Sequence, residues 1–64
     1  MAKSNDADLI NQAYQDEVKN IFSVFCGAYS IANTDAEIAG AVQRFQRGIS
    51  LTRKARDLAI AKLP

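Results

Sequence analysis

Between Ile10 and Ala32 the apolar side chains Ile10, Tyr14, Val18, Ile21, Phe25, Ala28 and Ala32 follow one another at intervals of 4, 4, 3, 4, 3 and 4 residues. That rhythm matches the α-helical turn of about 3.6 residues and leaves no place for the two-residue period of a β-strand. It predicts a helix over residues ~5–31. Ser4 or Asn5 is placed to cap it, with Asp6 and Asp8 where a first turn favours negative charge. The segment Asn33-Thr34-Asp35-Ala36-Glu37 then carries the clearest local signal. Thr34 with Glu37 three positions on is a capping box, which ends one helix and starts another.

The helical period resumes with Ile38, Val42, Phe45 and Ile49 and continues to Ala59 and Leu63, predicting a second helix over ~35–62. Its weak point is Gly48, because a glycine inside a helix costs about 1 kcal/mol relative to alanine. Either Gly48 ends the helix and Ser50 caps a third one, or the helix runs through and Gly48 admits a close neighbour. The second form is the expectation, as a continuous or gently kinked helix. On a continuous straight helix Leu51 and Leu58 fall away from the main apolar face, beside Arg44, Arg47 and Lys54. A second apolar contact would then be needed to cover them. Arg56 falls inside the apolar face and needs a partner; a pair with Asp6 across the hairpin is expected to set its register.

A chain of 64 residues is one small domain, residues 1–64, and so short a chain buries only about 60% of its unfolded surface. With 48% hydrophobic and 23% charged residues it is neither disordered nor collagen-like, and a single cysteine excludes a disulfide scaffold. The fold class that follows is all-α, a helical hairpin. On the first helix the apolar positions Ile10, Tyr14, Val18, Ile21, Phe22, Val24, Phe25 and Tyr29 spread over roughly 160° of its circumference, wider than one partner helix covers. Phe22 and Tyr29 would stay wet. The simplest remedy is a homodimer forming a four-helix bundle; a three-helix monomer is the alternative. The expected self-interface is Tyr14, Val18, Phe22, Phe25, Tyr29, Val42, Phe45 and Ile49.

Chemistry has little to stand on. The chain has no histidine, the commonest metal ligand and general base. Cys26 therefore lacks a base, and it reads as a small buried hydrophobe. Asp16 and Glu17 are adjacent, about 100° apart on a helix, and cannot share a proton or a metal. No glycine-rich phosphate loop occurs. No catalytic residue, cofactor or metal is expected, and the chain reads as non-enzymatic.

Charge is divided between the halves: residues 1–37 carry a net −4 and residues 38–64 a net +5. The simplest reading is an acidic helix satisfied by a basic one. The alternative is a nucleic-acid contact through Arg44, Arg47, Arg53, Lys54 and Lys62, since four of these form a stripe nearly ~27 Å long. Against it, Leu51 and Leu58 lie within the stripe. A helix-turn-helix fails on spacing, because its turn allows only about 3–4 residues. The uncharged stretch Asn20–Thr34 is shorter than the ~20 residues of a membrane span, and the start lacks the apolar core of a signal peptide. A membrane-surface role for that stretch is a third option. A cytoplasmic, self-associating protein-interaction module or small regulator is the expected function.

Overall fold

Glu37 and Thr34 build the turn. The Glu37 amide donates to Thr34 Oγ1 at 3.1 Å, while Glu37 Oε1 accepts from the amides of Asn33 at 2.8 Å and Thr34 at 3.1 Å. Thr34 is extended, with φ −131°, and its carbonyl accepts the first helical bond from Ile38 at 3.0 Å. Three donors that a helix start leaves without partners are thereby satisfied by two side chains. The structure is a computed structural model that describes the backbone of residues 2–64 and the side chains from Asn5 onward. It contains two helices packed against each other, α1 (Ala2–Ile31) and α2 (Asp35–Ala61).

The turn has a pH signature. The Asn33 amide, helped by the Thr34 hydroxyl and amide, holds the Glu37 carboxyl below the usual glutamate range. A group lowered on folding stabilises above its unfolded value, and that stability is lost as pH falls through the folded value. Thermal melts of the native chain are therefore expected to weaken on acidification from the ordinary carboxylate range downward. Glu37→Gln keeps a capping box but removes the titration, so it should flatten that decline. An unchanged decline would assign the acid sensitivity to other carboxylates.

α1 begins at Ala2, ahead of both expected caps, so Ser4 and Asn5 lie within the helix and Asp6 and Asp8 fall beyond its first turn. The Ser4 side chain lies outside the described residues. α2 passes through Gly48 without interruption. The reason is packing: a Cβ at Gly48 would stand 3.4 Å from the Ile21 side chain, in ordinary contact, so the helices approach to a distance that admits a small residue here and nothing larger than a methyl.

That approach sets the centre of the seam. Ile10, Tyr14, Val18, Ile21, Phe25 and Ala28 of α1, and Ala32 just past its end, are all at least half-covered, as the spacing predicted. On α2 the expected Ile38, Val42, Phe45 and Ile49, and Leu63 just past its end, are likewise half-covered, while Ala59 is exposed. The closest approach of the helices falls beside them, at Ala41 and Gly48. Ala41 is the only described residue that is fully buried, at 2% exposure. The register follows from three meetings: Phe25 with Phe45 at 5.1 Å between ring centroids, Ile21 with Gly48, and Tyr14 with Arg56. Both helices climb about 1.5 Å per residue from the turn, so position 56 stands level with Tyr14. The expected Arg56–Asp6 pair is thus overturned. The Arg56 guanidinium lies 4.3 Å from the Tyr14 ring centroid and bonds Asp57 Oδ1 at 2.9 and 3.0 Å.

The hairpin is a thin slab, 51 × 16 × 7 Å across its Cα atoms. Its radius of gyration is 15.1 Å, against about 10.7 Å for a globular chain of this length. Its accessible surface is 4966 Å², where a compact 7.0 kDa monomer would expose about 4,000 Å². Among the described residues the hairpin has a seam with one buried residue, Ala41, in place of a core.

Gly27 stands on the open side of α1 with nothing within 4 Å of the Cβ it lacks. Gly27→Ala should therefore add the ordinary helix-propensity difference, about 1 kcal/mol, in a denaturant melt. A destabilised variant would show that this position is covered in solution.

Candidate interface on two faces of the hairpin

Turning about the axis of α1 from Ile21, Phe22 and Tyr29 lie about 100° and 80° to one side, Val24 and Ile31 about 60° and 80° to the other. On α2, Val42 and Ile49 lie to the first side of Gly48, and Leu51 and Leu58 to the second. Because the helices run in opposite directions, equal senses of rotation bring both helices to the same face of the slab. One face therefore carries Phe22, Tyr29, Val42 and Ile49. The opposite face carries Val24, Ile31, Leu51 and Leu58.

The first face holds what remains of the expected self-interface. Tyr14, Val18, Phe25 and Phe45 are used largely within the chain, Phe25 packing on Phe45 and leaning toward Tyr29 at 6.2 Å. Phe22 and Tyr29 are each 56% exposed, the wet aromatics that a single hairpin cannot cover. Val42 and Ile49 are half-covered beside them. Lys19 and Arg53 stand about 140–160° from the seam, on the outer margins of this face. Asn11 and Arg56, the latter over Tyr14, lie toward its open end, so its apolar part is the stretch around Phe22 and Tyr29. Cys26 is exposed, not buried as expected. At about 140° from Ile21 it lies beyond the reach of α2, and a narrow seam leaves it outside.

The second face is mixed. Leu51 is 53%, Leu58 60% and Ile31 77% exposed, so the second apolar contact that a continuous α2 requires is absent from the isolated chain. Glu17, Asn20, Val24, Arg44 and Gly48 border one opening on this face. Ile31, Ala36, Gly40 and Arg44 border the next. Sequence reasoning missed this groove because it ranked positions by hydrophobic bulk. The signal was the run of small residues at helical spacing, Ala41, Gly48, Ala55 and Ala59.

The helices do not neutralise each other. Among the described residues the ion pair is Arg56–Asp57, between neighbours on α2, and none joins α1 to α2. The expectation of an acidic helix satisfied by a basic one is corrected accordingly. Arg44, Arg47, Lys54 and Lys62 share the second face and its margin, and none has an ion-pair partner among the described residues. Arg53 stands half a turn from Arg44 and is separate from them. Among the described residues no group of three His, Cys, Asp or Glu side chains could hold a metal, and no helix is long and apolar enough to cross a membrane. The chain matches no protein-family model, no curated protein and no solved structure.

Proposed function

We propose that the chain is a non-catalytic helical interaction module that pairs with a second copy through the face of Phe22, Tyr29, Val42 and Ile49, forming a four-helix bundle. The observation that carries this reading is the surface excess of a hairpin in which only Ala41 is fully buried among the described residues. Each chain exposes nearly a thousand Å² more than a compact protein of its mass. A standard interface removes about 800 Å² per partner, so one second copy is enough to absorb the excess. A nearly charge-free aromatic and β-branched centre is the kind of surface that two-fold interfaces bury. The bundle would then act by presenting its outer helical faces to another protein.

Sedimentation velocity at two concentrations a hundredfold apart tests this. The expected result is a dimer at the higher concentration and partial dissociation, or none, at the lower one. A well-folded monomer at both would end the proposal.

A further inference from the structure

The face of Val24, Ile31, Leu51 and Leu58 is left free by the pairing proposed above, and it differs from the other face in being grooved. Beyond the two openings already described, a third follows between Ala13 and Glu17 on α1 and Ala55 and Ala59 on α2. From Ala13 to Ile31 the groove runs about 27 Å, the length of some five helical turns. Small residues keep its floor shallow, Ala28 and Ala41 toward the turn, Gly48 in the middle and Ala55 toward the open end. They lie between the seam side chains Ile21, Phe25 and Phe45 and, further on, Tyr14 and Arg56. The most exposed large apolar side chains of this face stand to either side of it. Val24 and Ile31 follow Glu17 by one and two heptads on α1, and Leu51 and Leu58 follow Arg44 by one and two heptads on α2. Two heptad-spaced ridges flanking a low floor are the negative of a helix.

We infer that this groove docks one amphipathic α-helix of a partner protein, acidic along the edge that lies against α2. Charge selects that edge. Arg44 stands on the α2 rim with Arg47, Lys54 and Lys62 behind it, all without ion pairs among the described residues. Glu37, the acidic residue at the turn end of this rim, is engaged by the Asn33 and Thr34 amides. Glu17 stands on the opposite rim, where the incoming helix must be neutral or basic. The geometry argues against a second hairpin here. A hairpin is two helices wide and would stack helix on helix, leaving the floor empty, whereas a single helix sits over the line between α1 and α2. It argues equally against a nucleic-acid duplex, since Leu51 and Leu58 interrupt the cations and Glu17 repels phosphate. The inference rests on the interaction-module reading for its choice of face. The groove itself lies within one chain, so groove binding and pairing are measured separately.

The test uses the full chain and fluorescence anisotropy with two labelled synthetic helices of about 21 residues, long enough to fill the groove. Both share one leucine face; one carries Glu along a single edge, the other Lys at the same positions. A short RNA duplex is the third probe. The Glu-edged helix is expected to bind saturably, and the Lys-edged helix roughly tenfold more weakly or worse. Leu51→Ser/Leu58→Ser and, independently, Arg44→Glu/Lys54→Glu should each weaken the Glu-edged helix by roughly tenfold. All four positions are exposed or on a rim, and circular dichroism confirms that the variants fold. Equal binding of both helices, no saturable binding, or binding of the RNA duplex in place of the Glu-edged helix overturns the inference. If the chain sediments as a monomer yet binds the Glu-edged helix as described, the pairing reading fails and this one stands.

Discussion

A Phe22→Glu/Tyr29→Glu variant is expected to sediment as a monomer at concentrations where the native chain is dimeric, and to melt at a temperature independent of concentration. Both aromatics lie on the open face; Phe22 is clear of the intrachain seam, and Tyr29 gives up only its stacking on Phe25 at 6.2 Å, leaving the Phe25–Phe45 and Ile21–Gly48 meetings in place. Burying an unpaired carboxylate costs several kcal/mol, and about 4 kcal/mol raises a dissociation constant a thousandfold. One such charge per chain suffices to move a micromolar dimer to millimolar. For the native chain, mass action makes the melting temperature rise with concentration, because association stabilises the folded form alone. The matched control is Leu58→Glu on the opposite face, which should leave sedimentation unchanged. If the aromatic pair of substitutions leaves the dimer intact while Leu58→Glu dissolves it, the two faces have been assigned the wrong way round.

Gly48→Leu should be the most damaging single substitution in the seam, and Gly48→Ala should be harmless or better. The built Cβ at this position already meets Ile21 at 3.4, 3.5 and 3.6 Å, ordinary contact distances that leave room for a methyl and for nothing beyond it. Alanine also removes the helix-interior cost of glycine, about 1 kcal/mol. A leucine must instead push α1 and α2 apart where they are closest. Overpacking of this kind costs typically about 1–3 kcal/mol. In so small a domain each kcal/mol moves the melting temperature by about 4–8 °C. The leucine variant should thus melt ~10 °C or more below the alanine variant. Equal melting temperatures would mean that the helices do not meet at Gly48 in solution.

Much of the fold was legible because its determinants are local. A helix is specified by side chains three and four positions apart, and the turn by a Thr and a Glu within one turn of each other. Residues 10 to 32 and 34 to 37 therefore announced α1, the turn and the start of α2 correctly. The start of α1 was misplaced, because Ser4 and Asn5 favour caps only as a tendency and tolerate a helix interior. In the seam, bulk marked the covered side of α2, with Ile38, Val42, Phe45, Ile49 and Leu63 half-covered, but smallness decided where the helices come closest. Val42 and Ile49 outweigh Ala41 and Gly48 on any hydrophobic scale, yet two backbones approach most closely where side chains are least. Cys26 was read as buried for the same reason: hydrophobic character indicates a preference for burial, not the presence of a neighbour to supply it.

Length, the spacing of apolar residues and the Thr34–Glu37 box determined by themselves that the chain is two helices joined by a tight turn, with more apolar surface than one hairpin can hide. Those properties depend on interactions within a few residues, or on simple totals. Tertiary packing alone decided that Gly48 is a contact and not a break, that Ala41 is the buried centre, and that Arg56 lies on Tyr14 and not on Asp6. It also left the opposite charges of α1 and α2 apart. Each of these turns on which side of one helix meets which side of the other, and that choice is made by the closest fit between surfaces far apart in sequence, where the helices come nearest at small residues.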